Sequence, residues 1–352
     1  MSYLNGMSAL NLEMPDVIPR TEYSASTHWS LVKAVTGISV DEHSAPEFMQ
    51  KASSAFVKEW DYGMYWNIVL KNQEFNGFFT KMGHASYASG GVDYSSDVSC
   101  PFDDPEDVLK FDPLTKYGIP DKSQAIKMFE DDYKEMCTNY TDTVNMTGIY
   151  VSCMSGLIEI LGWEMLLSAA GIDPDGFGAL TDRYVNWVKH YFEALADSNV
   201  PVVMIHDDIV WTGGPFISPE WYRKYLFTGY KKLFTPLIES GKKIIYTSDG
   251  NFTEFIDDVV GCGVHGLVME PLTDMTYIAE KYGKTHAFVG NVDTRVLLQG
   301  TRDDIYSEVK RCIDIGKDCP GFFLAVGNHI PSNTPYDNAM YYNECYQKLS
   351  KR

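Results

Sequence analysis

The sequence is poor in arginine and has no run of basic residues. Seven of its 352 residues are arginine, and 48 acidic residues outnumber 29 basic ones, which gives a formal net charge of −19 at pH 7. Nucleic acids and anionic membrane surfaces bind through clustered lysine and arginine, so neither is an expected partner. A ligand with many carboxylates would be repelled at long range by the same charge.

The sequence also lacks a disulfide framework and a secretion signal. Its seven cysteines form no Cys-x-x-Cys pair, and an odd number of scattered thiols is typical of a reducing compartment. The N-terminus has neither a basic segment nor a long apolar run. The most apolar stretch, residues 154–172, is interrupted by Glu159 and Glu164, which predicts a buried helix rather than a membrane span. We therefore expect a cytoplasmic protein.

No Gly-x-Gly-x-x-Gly fingerprint follows a first strand, so a nucleotide-binding open sheet is not favoured. Short, continuous apolar segments instead alternate with amphipathic helices along the second half of the chain. That pattern is typical of strands buried on both faces of a parallel sheet. The first half is less regular. The predicted strands are 17–24, 61–69, 149–153, 200–205, 243–246, 264–269, 286–289 and 322–326.

Repeated strand–helix units favour the α/β class and, within it, a (β/α)8 TIM barrel with an N-terminal helical and loop extension. An open, doubly wound sheet is the structural alternative. We expect a single domain over residues 1–352, in which residues 1–140 supply the extension and the first strands and residues 141–352 supply the remaining barrel. A loop rich in glycine, serine and tyrosine, residues 81–105, is expected at the barrel mouth.

Polar side chains follow five successive predicted strands, at the ends where barrel enzymes carry their active sites. Any one of them is explained by a helix cap or a turn, where Asp and Asn are common. Five together indicate a functional site, because carboxylates and imidazoles crowded at one rim must share protons, hydrogen bonds or a cation. The segments are His206-Asp207-Asp208, Thr247-Ser248-Asp249-Gly250-Asn251, Glu270-Pro271, Gly290-Asn291-Val292-Asp293 and Gly327-Asn328-His329.

Three stretches at these strand ends resemble a known group of barrel enzymes. They are Asp207-Asp208-Ile209 with residues 213–222, Ser248-Asp249-Gly250-Asn251, and Gly290-Asn291-Val292-Asp293 followed by residues 298–301, His329-Ile330-Pro331, Thr334-Pro335 and Asn338. On these motifs the chain resembles the uroporphyrinogen decarboxylase superfamily, strongly over residues 200–350 and N-terminally only through Pro19-Arg20 and general length. The resemblance implies a (β/α)8 barrel with its cleft at the strand C-termini. Superfamily members include porphyrin decarboxylases and corrinoid-linked methyltransferases.

Departures from the superfamily pattern favour the methyltransferase side, of the O-demethylase type. The arginine-rich segment that holds porphyrin carboxylates has no counterpart, since the chain offers Pro19-Arg20-Thr21-Glu22-Tyr23 instead. The zinc methyltransferases of the superfamily use His-x-Cys after strand five and Cys after strand eight. Here Thr247, Asp249 and Asn328 stand at those positions. The ligands that remain for zinc are Asp249, Glu270 and His329, with His206 or Asp208 as further candidates.

The resemblance implies a methyltransferase that moves a methyl group from a methoxylated, aromatic substrate to the Co(I) corrinoid of a partner protein. The corrinoid-binding signature Asp-x-His-x-x-Gly is missing, which is why the corrinoid, a cobalamin, is assigned to a partner. A decarboxylase of a small carboxylated substrate is the alternative, and a ligand-binding protein on a degenerate barrel is a third class. The sequence leaves a homodimer open.

The candidate residues follow from these hypotheses. For each aromatic residue, a place in the core is the competing explanation. We expect catalytic groups at His206, Asp207, Asp208, Asp249 and Asp293. We expect substrate contacts from Trp60, Tyr62, Tyr65, Trp66, His84, Trp211, Tyr246 and Asn328.

Overall fold

The computed structural model describes residues 2–80 and 99–352 of the chain. Its largest sheet is parallel, and its strands are almost entirely buried, as their continuous apolar sequences predict. In spatial order the strands are Phe322–Val326, Ala287–Val292, Gly266–Met269, Lys243–Ser248, Val202–His206 and Thr147–Ile149.

Parallel pairing continues from both edges of this sheet and closes it into a ring. The strand Met64–Tyr65 pairs with Val144–Asn145, which lies just before Thr147–Ile149. Arg20 forms parallel bridges to Tyr62 on one side and to Leu324 on the other. Arg20, residues 62–65, residues 144–149 and the five later strands therefore make the eight positions of a (β/α)8 barrel. The predicted fold is confirmed, and an open sheet does not fit this pairing.

The five later strands lie within three residues of their predictions. The prediction for the third strand is wrong in position, because the strand residues are 144–149 and residues 150–153 lead into a helix. Asn145 and Thr147 are polar but buried and hydrogen-bonded, so a search for apolar runs passes over them. The predicted first strand, 17–24, forms only isolated bridges at Val17 and Arg20.

Helices surround the barrel, and the first three belong to the N-terminal extension. An antiparallel hairpin, Val210–Trp211 with Gly214–Pro215, follows the fourth barrel position. The 3-10 turns are Ala25–Thr27, Asn72–Phe75 and Thr253–Phe255. The helices are Ser2–Leu10, Trp29–Thr36, Pro46–Glu59, Pro105–Lys110, Pro113–Tyr117, Lys122–Asn139, Met154–Ile172, Pro174–Asp197, Pro219–Trp221 (continuing through the π-turn Tyr222–Leu226 into Phe227–Glu239), Ile256–Val260, Met275–Tyr282, Thr294–Gln299, Arg302–Gly316 and Tyr336–Leu349.

The barrel interior is packed at its N-terminal end. Inward-facing side chains such as Met64, Met204 and Phe323 form one apolar cluster, to which the first helix adds Ala9 and Leu10. That helix approaches the second strand so closely that a Cβ on Gly6 would lie 2.0 Å from the carbonyl oxygen of Gly63. Because this end is filled, space for a ligand remains at the C-terminal end of the strands.

Arg20 is buried in the wall of the barrel, where it joins the first strand position to the C-terminal helix. Its guanidinium lies 2.9 Å from Glu22 Oε1 and donates to Asn343 Oδ1 at 2.6 Å. The ring of Trp60 covers it at 4.2 Å. Glu22 also accepts hydrogen bonds from the Tyr342 hydroxyl at 2.6 Å and the Val326 amide at 3.0 Å. These contacts make Arg20 a structural residue.

Within the described residues, Met154–Ile172 is the one helix long and apolar enough to cross a membrane by length and composition. Core helices of folded proteins pass the same test, and 61% of this stretch is buried inside the protein, as the sequence predicts. All seven cysteines are free thiols.

Candidate active site

A cavity of about 350 Å³ opens at the C-terminal end of the barrel. This volume is at the lower end of the range for small-molecule sites. Its described lining residues lie at or just after the carboxyl ends of strand positions one to five and eight. Met204 is the exception, because it lies within the fourth strand and forms part of the floor. The described lining residues are Tyr23, Trp66, Asn67, Ile68, Lys71, Tyr150, Met204, His206, Asp208, Asp249, Asn328 and His329.

His206, Asp208 and Asp249 form the polar centre of this cavity. His206 Nε2 lies 3.3 Å from Asp208 Oδ1, and the same oxygen accepts the amide hydrogen of Asp249 at 3.0 Å. One potential ligand atom from each residue lies within 4.8 Å of the other two. The Tyr150 ring stacks on the imidazole at 4.1 Å, and Ser155 Oγ lies 3.4 Å from Nδ1. Both ring nitrogens of His206 are therefore held in defined surroundings.

Asp207 points away from the cavity, because neighbouring side chains along an extended segment alternate in direction. Its carboxylate accepts backbone hydrogen bonds from Cys153, Met154 and Ser155, at the start of the helix Met154–Ile172. Tyr230 donates a fourth hydrogen bond at 2.5 Å. Complete burial raises the pKa of Asp207, although these four hydrogen bonds oppose the shift. Asp207 thus anchors the segment that carries the cavity-lining residues, and its predicted catalytic role does not fit this placement.

Glu270 connects two other parts of the rim. Its Oε2 accepts the Gly250 amide hydrogen at 2.7 Å, and its Oε1 accepts a hydrogen bond from Asn328 Nδ2. Asn328 Oδ1 in turn accepts the His329 amide hydrogen at 2.7 Å. Burial lowers the pKa of His329, so its imidazole is neutral at pH 7. Both carboxylate oxygens of Glu270 are engaged in holding the rim together.

Tyr23 brings a phenol to the cavity that Asp208 and Asp249 also line. Its ring stacks on Trp66 at 4.9 Å with an interplanar angle of 3°, and its hydroxyl lies 3.4 Å from Thr247 Oγ1. Burial, together with the charges of Asp249 and Asp208, raises the pKa of Tyr23. The phenol therefore keeps its proton at neutral pH and can donate it in a hydrogen bond.

The predicted residues that converge on the cavity are Trp66, His206, Asp208, Asp249, Asn328 and His329. The metal set predicted from sequence was Asp249, Glu270 and His329. Among the residues that the structure describes, the group compact enough for one ion is instead His206, Asp208 and Asp249. Glu270 is not part of this group, and its oxygens accept hydrogen bonds from the Gly250 amide and Asn328.

Most of the predicted aromatic contacts are core residues, which was the competing explanation. Trp60 and Tyr62 pack in the wall beside Arg20. Tyr65 stacks on Tyr140 at 3.7 Å, outside the barrel, because it alternates in direction with the inward-facing Trp66. Tyr246 is fully buried, and its hydroxyl donates to the carbonyl oxygen of Asp207 at 3.2 Å.

Three further predictions fall away from the cavity or outside the described residues. Trp211 is 46% exposed on the hairpin, where it contacts Phe216. Asp293 caps the helix Thr294–Gln299 and pairs with Arg295 at 2.6 Å; burial opposes the shift, but the Arg295 hydrogen bonds lower the pKa of Asp293. Both placements argue against the predicted roles. His84 lies outside the described residues.

Sequence reasoning missed several residues that line the cavity, notably Tyr23, Asn67, Lys71 and Tyr150. All four come from the first half of the chain and follow barrel positions one to three. A position directly after a strand could have identified them. The strands themselves were difficult to predict, because they are short and partly polar. Tyr150 in particular follows the third strand directly, whereas the misplaced prediction put it inside that strand.

Known proteins resemble this chain in sequence and in fold. The chain is similar to a uroporphyrinogen decarboxylase of Geobacter sulfurreducens, with 27% identity over 179 residues and 51% of each chain covered. A uroporphyrinogen decarboxylase of Geotalea uraniireducens is 27% identical over 243 residues, with 68% of each chain covered. The chain spans about half the length of several curated relatives that it matches, the Geobacter protein among them.

A solved structure, described as a methyltransferase from Methanosarcina mazei, superimposes with a TM-score of 0.66 at 18% identity. The match covers 99% of this chain and 98% of the other, so the two share a fold over their whole lengths. A family model described as "Uroporphyrinogen decarboxylase (URO-D)" matches residues 87–349. That match covers most of the chain and includes every strand from the third barrel position onward, so the protein belongs to the uroporphyrinogen decarboxylase family.

Proposed function

We propose that this member of an enzyme family is a methyltransferase, which moves a methyl group from a small methoxylated aromatic compound to the Co(I) corrinoid of a partner protein. The observation that carries the proposal is one cavity that combines stacked aromatic rings with the His206, Asp208 and Asp249 cluster. Aromatic walls suit a planar substrate, and the cluster suits chemistry at an oxygen atom. The shared fold with the Methanosarcina mazei methyltransferase agrees with this reading.

The residues of this chain must assist the departure of the ether oxygen. When the methyl group leaves without the C–O electron pair, that pair stays on the oxygen as a developing phenolate. A hydrogen-bond donor or a proton at this atom lowers the barrier. The Tyr23 phenol and a protonated member of the His206–Asp208 pair are two such donors in the cavity.

The same cluster fits a zinc ion. Zinc bound at about 2.0–2.2 Å separates its ligand atoms by roughly 3.5 Å, and small side-chain rotations bring atoms that lie within 4.8 Å to that spacing. His206, Asp208 and Asp249 would hold the ion through one nitrogen and two oxygens. Zinc would supply Lewis acidity at the ether oxygen.

The corrinoid belongs, in this proposal, to a separate protein that docks over the cavity mouth, where its cobalt would supply the electron pair that accepts the methyl group. The free thiols agree with a reducing, cytoplasmic location, which is part of the proposal.

A decarboxylase of a small carboxylated substrate is the second candidate, favoured by the family's name and by the cation Lys71 among the described lining residues. A porphyrin is a poor fit. No arginine is among the described residues of the lining, and Arg20 is buried in the wall. In the part of the lining that the structure describes, a polycarboxylate would meet Asp208 and Asp249 with a single lysine to offset its charge.

The test combines the protein with a reduced corrinoid protein and a panel of methoxyarenes. Methyl transfer predicts a change in the visible absorption spectrum of the corrinoid and release of the matching phenol in equal amounts. Carbon dioxide release with an unchanged corrinoid spectrum would support the decarboxylase instead. Reactions without the protein, and with the Asp249→Asn variant, are the controls.

A further inference from the structure

We infer that the cavity selects a planar aromatic compound with a single negative charge, whose anionic group pairs with Lys71 while its ring lies against Tyr23, Trp66 and Tyr150. The inference rests on the proposed function for the reaction that follows. The binding step itself can be tested separately.

Charge limits the number of anionic groups to one. Among the described lining residues, Lys71 is the one lysine or arginine, against two carboxylates, Asp208 and Asp249. Lys71 is exposed, and among the described residues no ion pair within 4.0 Å engages its ammonium, on which Asp132 acts from a longer distance. Within the described lining, a second anionic group would find no further lysine or arginine and would have to approach the two aspartates, in a protein whose net charge is −19.

Topology separates the cation from the acids along the rim of the barrel. Lys71 follows the second barrel position, one residue after Leu70, which bridges to Ile149. Asp249 follows the strand Lys243–Ser248, three positions further around the eight-membered ring. A ligand that spans the cavity can therefore place its anionic end at Lys71 and its opposite end at the His206 cluster.

The space between these ends is shaped for a ring. Tyr23 and Trp66 form one nearly parallel stack, and Tyr150 and His206 form a second with an interplanar angle of 6°. All four line the cavity. Flat faces and a volume of about 350 Å³ fit one substituted benzene ring better than a flexible aliphatic acid.

Asn67 is a fixed polar group beside Lys71. Its amide nitrogen donates to Asp132 Oδ2 at 2.5 Å, and Thr147 donates to the same carboxylate oxygen. This arrangement holds the Asn67 side chain in place. Lys71 and Asp132 attract each other only from beyond the 4.0 Å of an ion pair, so an anionic ligand can approach the ammonium more closely than Asp132 does.

Binding of benzoate, 4-methoxybenzoate and neutral 4-methoxybenzamide to the full chain, followed by Trp fluorescence or calorimetry, tests the inference without any corrinoid. We expect both carboxylates to bind about tenfold more tightly than the amide at low salt, and Lys71→Gln to reduce this preference to less than twofold. Lys71→Arg should retain most of the preference for carboxylates over the amide. Lys51→Gln, at an exposed lysine outside the cavity, is the matched control and should behave as wild type.

A carboxylate preference that Lys71→Gln leaves unchanged would overturn the inference, as would tighter binding of the amide or tighter binding of the aliphatic hexanoate by the wild type. Failure of the proposed function would give a different experimental result. If benzoates bind through Lys71 but methoxybenzoate methylates no corrinoid, the binding inference stands and the methyl-transfer proposal falls.

Discussion

His206 and Asp208 are two residues apart in the chain, and their side chains meet in the cavity, with Nε2 3.3 Å from Oδ1. The residue between them, Asp207, turns to the opposite side and accepts the amide hydrogens at the start of the helix Met154–Ile172. One strand end therefore supplies both a reactive pair and the anchor that holds it. This division of roles leads to the first prediction.

Asp208→Asn should abolish most of the activity while leaving the fold intact. Asparagine has nearly the same shape, and its oxygen can still accept the Asp249 amide hydrogen, but it offers no charge to His206 or to a metal. We expect kcat/KM to fall by at least about 100-fold. Steady-state kinetics, near-ultraviolet circular dichroism and zinc content per chain are the measurements. Asp142→Asn, at an exposed carboxylate, is the matched control, and equal activity in both variants would contradict the assignment.

Tyr23→Phe should lower kcat and leave KM within about twofold. The ring that stacks on Trp66 is retained, whereas the phenol proton in the cavity is lost. A donor to the leaving oxygen is used as the C–O bond breaks, so we expect a fall in kcat of about tenfold or more. Tyr336→Phe, at an exposed tyrosine, is the control. A rise in KM with unchanged kcat would make Tyr23 a binding residue instead.

Glu22→Gln should destabilise the barrel strongly. The change leaves the buried Arg20 guanidinium, 2.9 Å away, without its negative partner. Loss of one member of a buried ion pair costs about 3–5 kcal/mol in the free energy of unfolding. Urea denaturation measures this change in the free energy of unfolding. The surface pair of Lys122 and Asp197 has a similar distance, 2.6 Å, but side chains that are 53% and 55% exposed, so Asp197→Asn should cost less than about 1 kcal/mol. Equal costs would rule out the structural role of Arg20.

Asp293→Asn should have little effect on activity and a small, pH-dependent effect on stability. Hydrogen bonds from Arg295 hold the pKa of Asp293 below its ordinary value against the effect of burial, so the unfolded chain binds this proton more tightly. The Asp293–Arg295 pair therefore contributes to the free energy of unfolding above the ordinary pKa of about 3.9. That contribution is lost as the pH falls through the lower pKa of the folded state. We expect a loss of at most about 1 kcal/mol at pH 7, since Arg295 is largely exposed. Thermal unfolding of both forms at pH 7 and pH 3 measures it, and a difference that grows toward pH 3 would contradict the sign.

Asparagine caps helices about as well as aspartate, so this variant isolates the charge of Asp293 from its capping role at Thr294–Gln299. A fall in activity of 100-fold or more would restore Asp293 to the catalytic residues that the sequence suggested.

The amino-acid sequence by itself determined the barrel and one half of its rim. Continuous apolar segments report burial on both faces of a strand, and the polar residues after them, such as Asp249 and His329, mark the carboxyl ends where a parallel barrel collects its ligand groups. Both features are local, so they can be read from neighbouring residues alone.

Only the tertiary structure decided which of these groups meet. The direction of each strand turns His206 and Asp208 inward and Asp207 outward, and contacts between distant segments engage Glu270 with Gly250 and Asn328. The same ring brings Tyr23, Lys71 and Tyr150, from the irregular first half, to the cavity. These side chains meet because strands that are far apart in sequence pair with a particular stagger. A local sequence pattern does not predict that stagger.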